Sequence, residues 1–255
     1  MEHTSKIIAV ANQKGGVGKT TTAVNLTSCL ALAGKRVLLI DIDPQANTTS
    51  FLGITKENAS PSTYEVLSGQ ATIVQAAVDT QVENLRLVPS HLRLVGAEVE
   101  LVSVERREFL LRKALEAAKL DYDYVYIDCP PSLNLLTVNA LVASDSVLIP
   151  LQCEYFAMEG LGLLTNTITK IRESLNPALT IEGVLLTMYD TRLNLSRQVE
   201  TEVRKFFADK VYQTVINRNV RLSEAPSFGK PIVLYDMLST GAENYIRLAK
   251  EILAS

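Results

Sequence analysis

Apolar residues in this chain fall into short unbroken runs separated by stretches where they recur every three or four positions. Ile7–Ala11, Arg36–Asp41, Leu85–Val88, Tyr124–Asp128, Val147–Ile149 and Ile181–Met188 are of the first kind. They are continuous rather than alternating, as strands covered on both faces require. Ala23, Leu26, Leu30 and Ala33, and later Leu111, Leu115 and Ala118, carry the helical spacing. Further helices are predicted over Leu135–Ala143, Leu195–Ala208 and Ala242–Leu253, and over Ala157–Leu175, ended by Asn176-Pro177. Shorter helical pieces are predicted over 63–67, 72–78, 95–102 and 107–118, and one more strand over Val211–Ile216. Gln45–Ser50 and the stretch through Pro226, Gly229 and Pro231 read as loops. Strand and helix alternate without a linker or low-complexity break. The prediction is one α/β domain over residues 1–255, a doubly wound, mostly parallel sheet with helices on both faces.

The connection after the first strand changes the picture from fold to chemistry. It reads Asn12-Gln13-Lys14-Gly15-Gly16-Val17-Gly18-Lys19-Thr20-Thr21 and opens directly into a helix. Strand, glycine-rich turn and helix are the context of a phosphate-binding loop. Glycines let successive backbone N–H groups curl around an anion, and the helix N-terminus adds partial positive charge at the same point. Lys19 would reach the β- and γ-phosphates, and the Thr20 hydroxyl would ligate Mg²⁺. Gln13 stands where the usual pattern has its first glycine, and a second lysine, Lys14, follows it. The bland alternative is an ordinary glycine turn with Lys14 solvated.

Two later strands end in carboxylates. Arg36–Asp41 runs into Asp41-Ile42-Asp43-Pro44-Gln45, placing two aspartates at the carboxyl end of a parallel strand, where ligands bind in open α/β sheets. Asp41 and Asp43 could instead cap the following turn, and both readings stand at this point. Tyr124–Asp128 leads into Cys129-Pro130-Pro131. About a hundred residues after a phosphate loop, this reads as a Walker B strand, with Asp128 near Mg²⁺ through water.

Composition narrows the partners. The chain has 255 residues, 47% of them hydrophobic, and a net charge of −3, so a nucleic-acid surface would have to be a local patch. One exists: Arg197, Arg204, Lys205, Lys210, Arg218, Arg221 and Lys230 outnumber Glu200, Glu202, Asp209 and Glu224 between Leu195 and Lys230. An ordinary charged surface would explain it equally well. Cys29, Cys129 and Cys153 are widely spaced and form neither a disulfide framework nor a zinc motif. No run of about 18 apolar residues would span a membrane. Met1–Lys6 passes into a strand without a signal-type apolar run, so a cytoplasmic protein is expected.

The loop Lys14–Thr20 resembles the deviant Walker A loop of the ParA/Soj/MinD group of P-loop NTPases. Together with Val37–Gln45, Tyr126–Ser132, Gln152–Ala157 and Arg218–Pro226, it resembles the ParA/Soj branch over essentially the whole chain. The resemblance implies an ATPase that forms an ATP-dependent sandwich homodimer, with Lys14 reaching the partner's nucleotide phosphates in trans. It places the nucleotide on Lys14, Gly15, Gly16, Val17, Gly18, Lys19, Thr20 and Thr21, and on an adenine-side loop at Asn217 and Asn219. Asn217 stands where a proline is usual, which implies a looser loop. Asp43 matches the aspartate that handles the attacking water, and Thr20, Asp43 and Asp128 surround Mg²⁺, the carboxylates through water. Arg192, Arg197, Arg218, Arg221 and Lys230 match the DNA-contacting region. Nonspecific double-stranded DNA, a ParB-type partner that stimulates hydrolysis and release, a nucleoid-associated location and an added role in replication control follow from the same resemblance. A MinD-like membrane ATPase is one alternative, but it would want a basic amphipathic extension, and Tyr245–Ser255 ends the chain without one. A P-loop small-molecule ligase, which shares the loop, is the other. An iron–sulfur relative would need paired cysteines that this spacing does not offer.

Overall fold

Seven strands form one sheet in the computed structural model, which describes residues 5–55, 59–118 and 121–254; Met1–Thr4 lie outside them. The strands are β1 (Lys6–Val10), β2 (Val37–Asp41), β3 (Val78–Asp79), β4 (Leu85–Val88), β5 (Tyr124–Asp128), β6 (Ser146–Gln152) and β7 (Thr180–Thr187). Their order across the sheet is β3-β4-β2-β5-β1-β6-β7. All neighbours pair in parallel except the edge strand β3, which is antiparallel to β4.

Successive side chains of each strand enter opposite cores. Ala9, Leu38 and Ile40 face one core, beneath helices Leu110–Ala117, Leu135–Ala143, Ala157–Ser174 and Asn194–Phe207. Ile8, Val10, Val37 and Leu39 face the other, beneath helices Lys19–Leu32 and Thr240–Ala254. The two helices of the second face also share a hydrogen bond between the Thr22 and Tyr245 hydroxyls at 3.2 Å. Leu26 and Leu30 are fully buried there, each contributing roughly 2 kcal/mol. No helix among the described residues is long and apolar enough to cross a membrane.

Several expected elements differ. Gln45–Ser50, expected as a loop, contains a short helix, Asn47–Phe51. The piece expected over 72–78 is helical only at Ile73–Ala76, and the chain then turns to form β3. The stretch around Pro226 holds short helices at Val220–Glu224 and Ile232–Tyr235. The strand expected over Val211–Ile216 is reduced to isolated parallel bridges, Val184 with Val211 and Tyr189 with Asn217. The reason lies in its middle. The Gln213 and Thr214 N–H groups donate to the Glu251 carboxylate at 2.7 and 2.9 Å rather than to β7, so no continuous ladder forms.

Candidate functional site

The site forms where β2, β5 and β1, three adjacent strands, reach their carboxyl ends. Val10 and Asp41 both pair in register with Asp128, so the connections after all three strands leave the sheet at one level.

The loop after β1 is moored at entry and exit. Asn12 is buried; its Nδ2 donates to the Pro150 carbonyl of β6 at 2.8 Å, and its Oδ1 accepts from the Lys14 N–H at 3.0 Å. Thr187 at the end of β7 donates its hydroxyl to the Val17 carbonyl at 2.8 Å. Between these points Gly16 and Gly18 have φ of +76° and +87°, the left-handed conformation that a Cβ would strain. Among the described residues no side chain caps the N-terminus of helix Lys19–Leu32, which leaves its first N–H groups available to an anion. Lys19 is buried, with Nζ donating to the Lys14 carbonyl at 3.0 Å. Burial holds its ammonium below the ordinary lysine range, with Asp128 and Asp43 opposing.

Asp128 is fully buried at the end of β5. Its Oδ2 accepts from Thr20 Oγ1 at 2.8 Å and from Thr48 Oγ1 at 2.7 Å. Burial lifts this carboxyl to about 6, against the two hydroxyls. Its Oδ1 is buried with no hydrogen-bond partner among the described residues. A buried carboxylate with one open oxygen beside a threonine hydroxyl fits magnesium that keeps part of its water shell. Among the described residues no cluster of three His, Cys, Asp or Glu side chains could hold a metal alone.

Asp41, the last residue of β2, and Asp43, two residues beyond it, lie in different environments. Asp41 is fully buried and accepts from the Asp43 N–H at 3.2 Å, the Thr49 N–H at 2.9 Å and the Thr49 hydroxyl at 2.7 Å. It therefore caps the turn, and burial raises its carboxyl well above the usual range. Asp43 faces the cleft, its Oδ1 accepting from the Gln45 N–H at 2.9 Å. Ser90 Oγ donates to the Asp43 carbonyl at 2.6 Å, fixing the backbone from beyond β4. The turn ends at Ala46, a non-glycine residue at φ +55°, strain of about 1–3 kcal/mol that surrounding contacts hold.

Lys19, Thr20, Thr21 and Asp43 share a cleft of about 420 Å³ with Gly15, Gly16 and Gly18. Asn47, Phe51, Met188 and Pro226 form other parts of its wall. Met188 and Pro226 line the cleft, whereas Asn217 and Asn219, expected on the adenine side, do not. The Asn219 side chain caps helix Val220–Glu224, accepting from the Arg221 and Leu222 N–H groups. Asn217 donates its N–H to Asn244 Oδ1 at 3.0 Å, a bond that proline could not make. That bond ties down a loop expected to be loose. Lys14 forms an ion pair with Glu154, just after β6, a partner that no local pattern marks.

The basic candidates divide. Arg192 is chelated by Asp190 through Nε at 2.9 Å and Nη2 at 2.7 Å, and Arg221 pairs with Glu224 at 2.9 Å and Asp236 at 3.3 Å. Arg197, Arg218 and Lys230 are exposed and make no ion pair among the described residues.

Comparison with known proteins follows the same lines. A family described as an AAA domain matches residues 5–181. The sporulation initiation inhibitor protein Soj of Bacillus subtilis is 61% identical over 250 residues, covering 98% of this chain and 99% of that protein. The chromosome partitioning protein ParA of Caulobacter vibrioides is 55% identical over 251 residues, covering 98% and 94%. Among solved structures, cobyrinic acid a,c-diamide synthase of Mycobacterium smegmatis, with bound ATP analog and magnesium, superposes with a TM-score of 0.85. It is 38% identical, and the match covers 98% of this chain and 95% of that one. By its identity to these relatives over nearly its whole length, the chain belongs to the Soj/ParA family of chromosome-partitioning ATPases.

Proposed function

We propose that this protein hydrolyses ATP to ADP and phosphate with Mg²⁺, as one ATPase domain over residues 1–255, and uses that cycle to gate dimerisation and nonspecific binding of double-stranded DNA. The observation that carries the reading is that Lys19, Thr20 and Asp43 line one cleft, with Asp128 buried behind it and hydrogen-bonded to Thr20. Gly15, Gly16, Val17, Gly18 and Thr21 cradle the phosphates with backbone N–H groups, and Lys19 holds the β- and γ-phosphates. Thr20, Asp128 and Asp43 would hold Mg²⁺, the carboxylates through water, and the ion when bound would neutralise charge on the phosphate oxygens. Asp43 orients the attacking water and takes up its proton.

Lys14 would act in trans, which requires it to exchange Glu154 for the partner's phosphates. Half-exposed ion pairs hold only about 0–1 kcal/mol, so the exchange is accessible. Lys14→Gln should keep ATP binding but lose the ATP-dependent dimer on size-exclusion chromatography. Normal dimerisation and turnover by this variant would return Lys14 to the role of a solvated loop residue.

DNA binding should require ATP and fall steeply with salt, because it works through phosphates. Doubling the basic surface by dimerisation should strengthen it more than additively. Arg197, Arg218 and Lys230 are open to phosphate, whereas Arg192 and Arg221 must first leave carboxylates. Arg218→Ala should therefore flatten the salt slope by about 1, and Arg192→Ala by less. Retention of unrelated duplexes across a salt series, with ATP and with ADP, tests this. Equal retention in both nucleotide states, or strong preference for one sequence, would refute it. A ParB-type partner that stimulates hydrolysis, action in the cytoplasm on the nucleoid, and a contribution to replication control complete the proposal.

A further inference from the structure

Thr48 ties the segment that carries Asp43 to the β5 carboxylate, and none of the roles above accounts for it. It lies in helix Asn47–Phe51, is fully buried, and donates its hydroxyl to Asp128 Oδ2 at 2.7 Å. The same oxygen accepts Thr20 Oγ1 at 2.8 Å. A buried position with helical neighbours would ordinarily hold an apolar side chain, because a buried hydroxyl is costly unless it is hydrogen-bonded. Here its acceptor is a buried carboxylate, and hydrogen bonds to charged groups are the strong ones.

Two further hydrogen-bonded anchors of the segment lie on the far side. Asp41 at the end of β2 holds Thr49, and Ser90, beyond β4, holds the Asp43 carbonyl. Those contacts fix the segment to β2 and β4 and do not touch the phosphate loop. The Thr48 bond connects it to β5 and, through the shared oxygen, to Thr20. Any shift of Thr20 or Asp128 is felt at Thr48, five residues from Asp43 along a short, hydrogen-bonded stretch.

We infer that Thr48 is a positioning residue for hydrolysis, its hydroxyl coupling the segment carrying Asp43 to the Thr20–Asp128 pair, so that Asp43 takes its working position when metal and triphosphate engage that pair. The inference rests on the ATPase reading above.

Thr48→Val removes the hydroxyl while keeping the shape, and Thr48→Ser keeps the hydroxyl while removing the methyl. Amide hydrogen exchange over residues 47–54 would be followed with saturating β,γ-imido-ATP, in Mg²⁺ and in EDTA, beside steady-state hydrolysis of ATP. The wild type should gain protection there with Mg²⁺. Thr48→Val should lose that gain and fall roughly 10- to 100-fold in kcat, while KM and nucleotide affinity stay within about threefold. Thr48→Ser should restore both readouts. Wild-type exchange and kcat in Thr48→Val would overturn the inference, as would failure of serine to rescue, which would show that the hydroxyl alone does not couple the segment. Should the valine variant not fold, Thr48→Ala provides the same hydroxyl-free comparison. Absence of Mg²⁺-dependent hydrolysis in the wild type would instead refute the ATPase reading itself.

Discussion

Lys19→Ala should lower ATP affinity by at least roughly 100-fold, about 2.7 kcal/mol, and abolish turnover with it. Lys19 is only 7% exposed as a residue and its ammonium already donates to the Lys14 carbonyl, so most of its desolvation and ordering precedes nucleotide binding. Its contact with phosphate is charge-assisted on both sides, and such bonds contribute about 1.5–3 kcal/mol each. Burial destabilises the isolated ammonium. Removing it should therefore leave the empty protein at least as stable, and a thermal melt would separate loss of binding from loss of fold. Calorimetric titration with ATP and Mg²⁺ measures the effect. Affinity within threefold of the wild type would mean that phosphates bind elsewhere.

Asp43→Ala should stop hydrolysis, with kcat falling about 10²- to 10⁴-fold, while ATP affinity stays within about threefold. Asp43 faces the cleft, whereas Asp41 is wholly occupied by Thr49 and the Asp43 N–H, so only Asp43 is placed to meet a water. Alanine also removes the bond from the Gln45 N–H, worth about 1 kcal/mol to the turn. Asp43→Asn keeps an acceptor for that bond but cannot take up a proton. If Asp43 handles the water, both variants should be inactive, and both should accumulate as ATP-bound dimers on gel filtration. Activity in the asparagine variant would reduce Asp43 to a turn cap. Wild-type turnover in both would move the water-handling role elsewhere.

The sequence by itself determined what could be read locally. Uninterrupted apolar runs named six of the seven strands, because a strand covered on both faces leaves no polar alternation. The glycine-rich loop, its lysine and its threonine are contiguous, so the phosphate cradle was legible within ten residues. The two-residue strand β3 was too short to show a period, and the expected strand over Val211–Ile216 lost its ladder to Glu251, nearly forty residues away. Nothing local separates Asp41 from Asp43. Their difference arises because Asp41 is level with Asp128 in the sheet, enclosed by Thr49, while Asp43 lies two residues beyond the strand's end. Asn12, Thr48, Glu154 and Thr187 escaped for the same reason: each acts through a partner brought alongside by strand order, between 80 and 170 residues distant. Arg192 and Arg221 matched the DNA-contacting region by resemblance, and only folding set carboxylates against them. Periodicity and contiguous motifs report what a segment offers. Which side chains meet, and which charges remain open, is decided by the order β2-β5-β1 and by the loops it gathers at one edge.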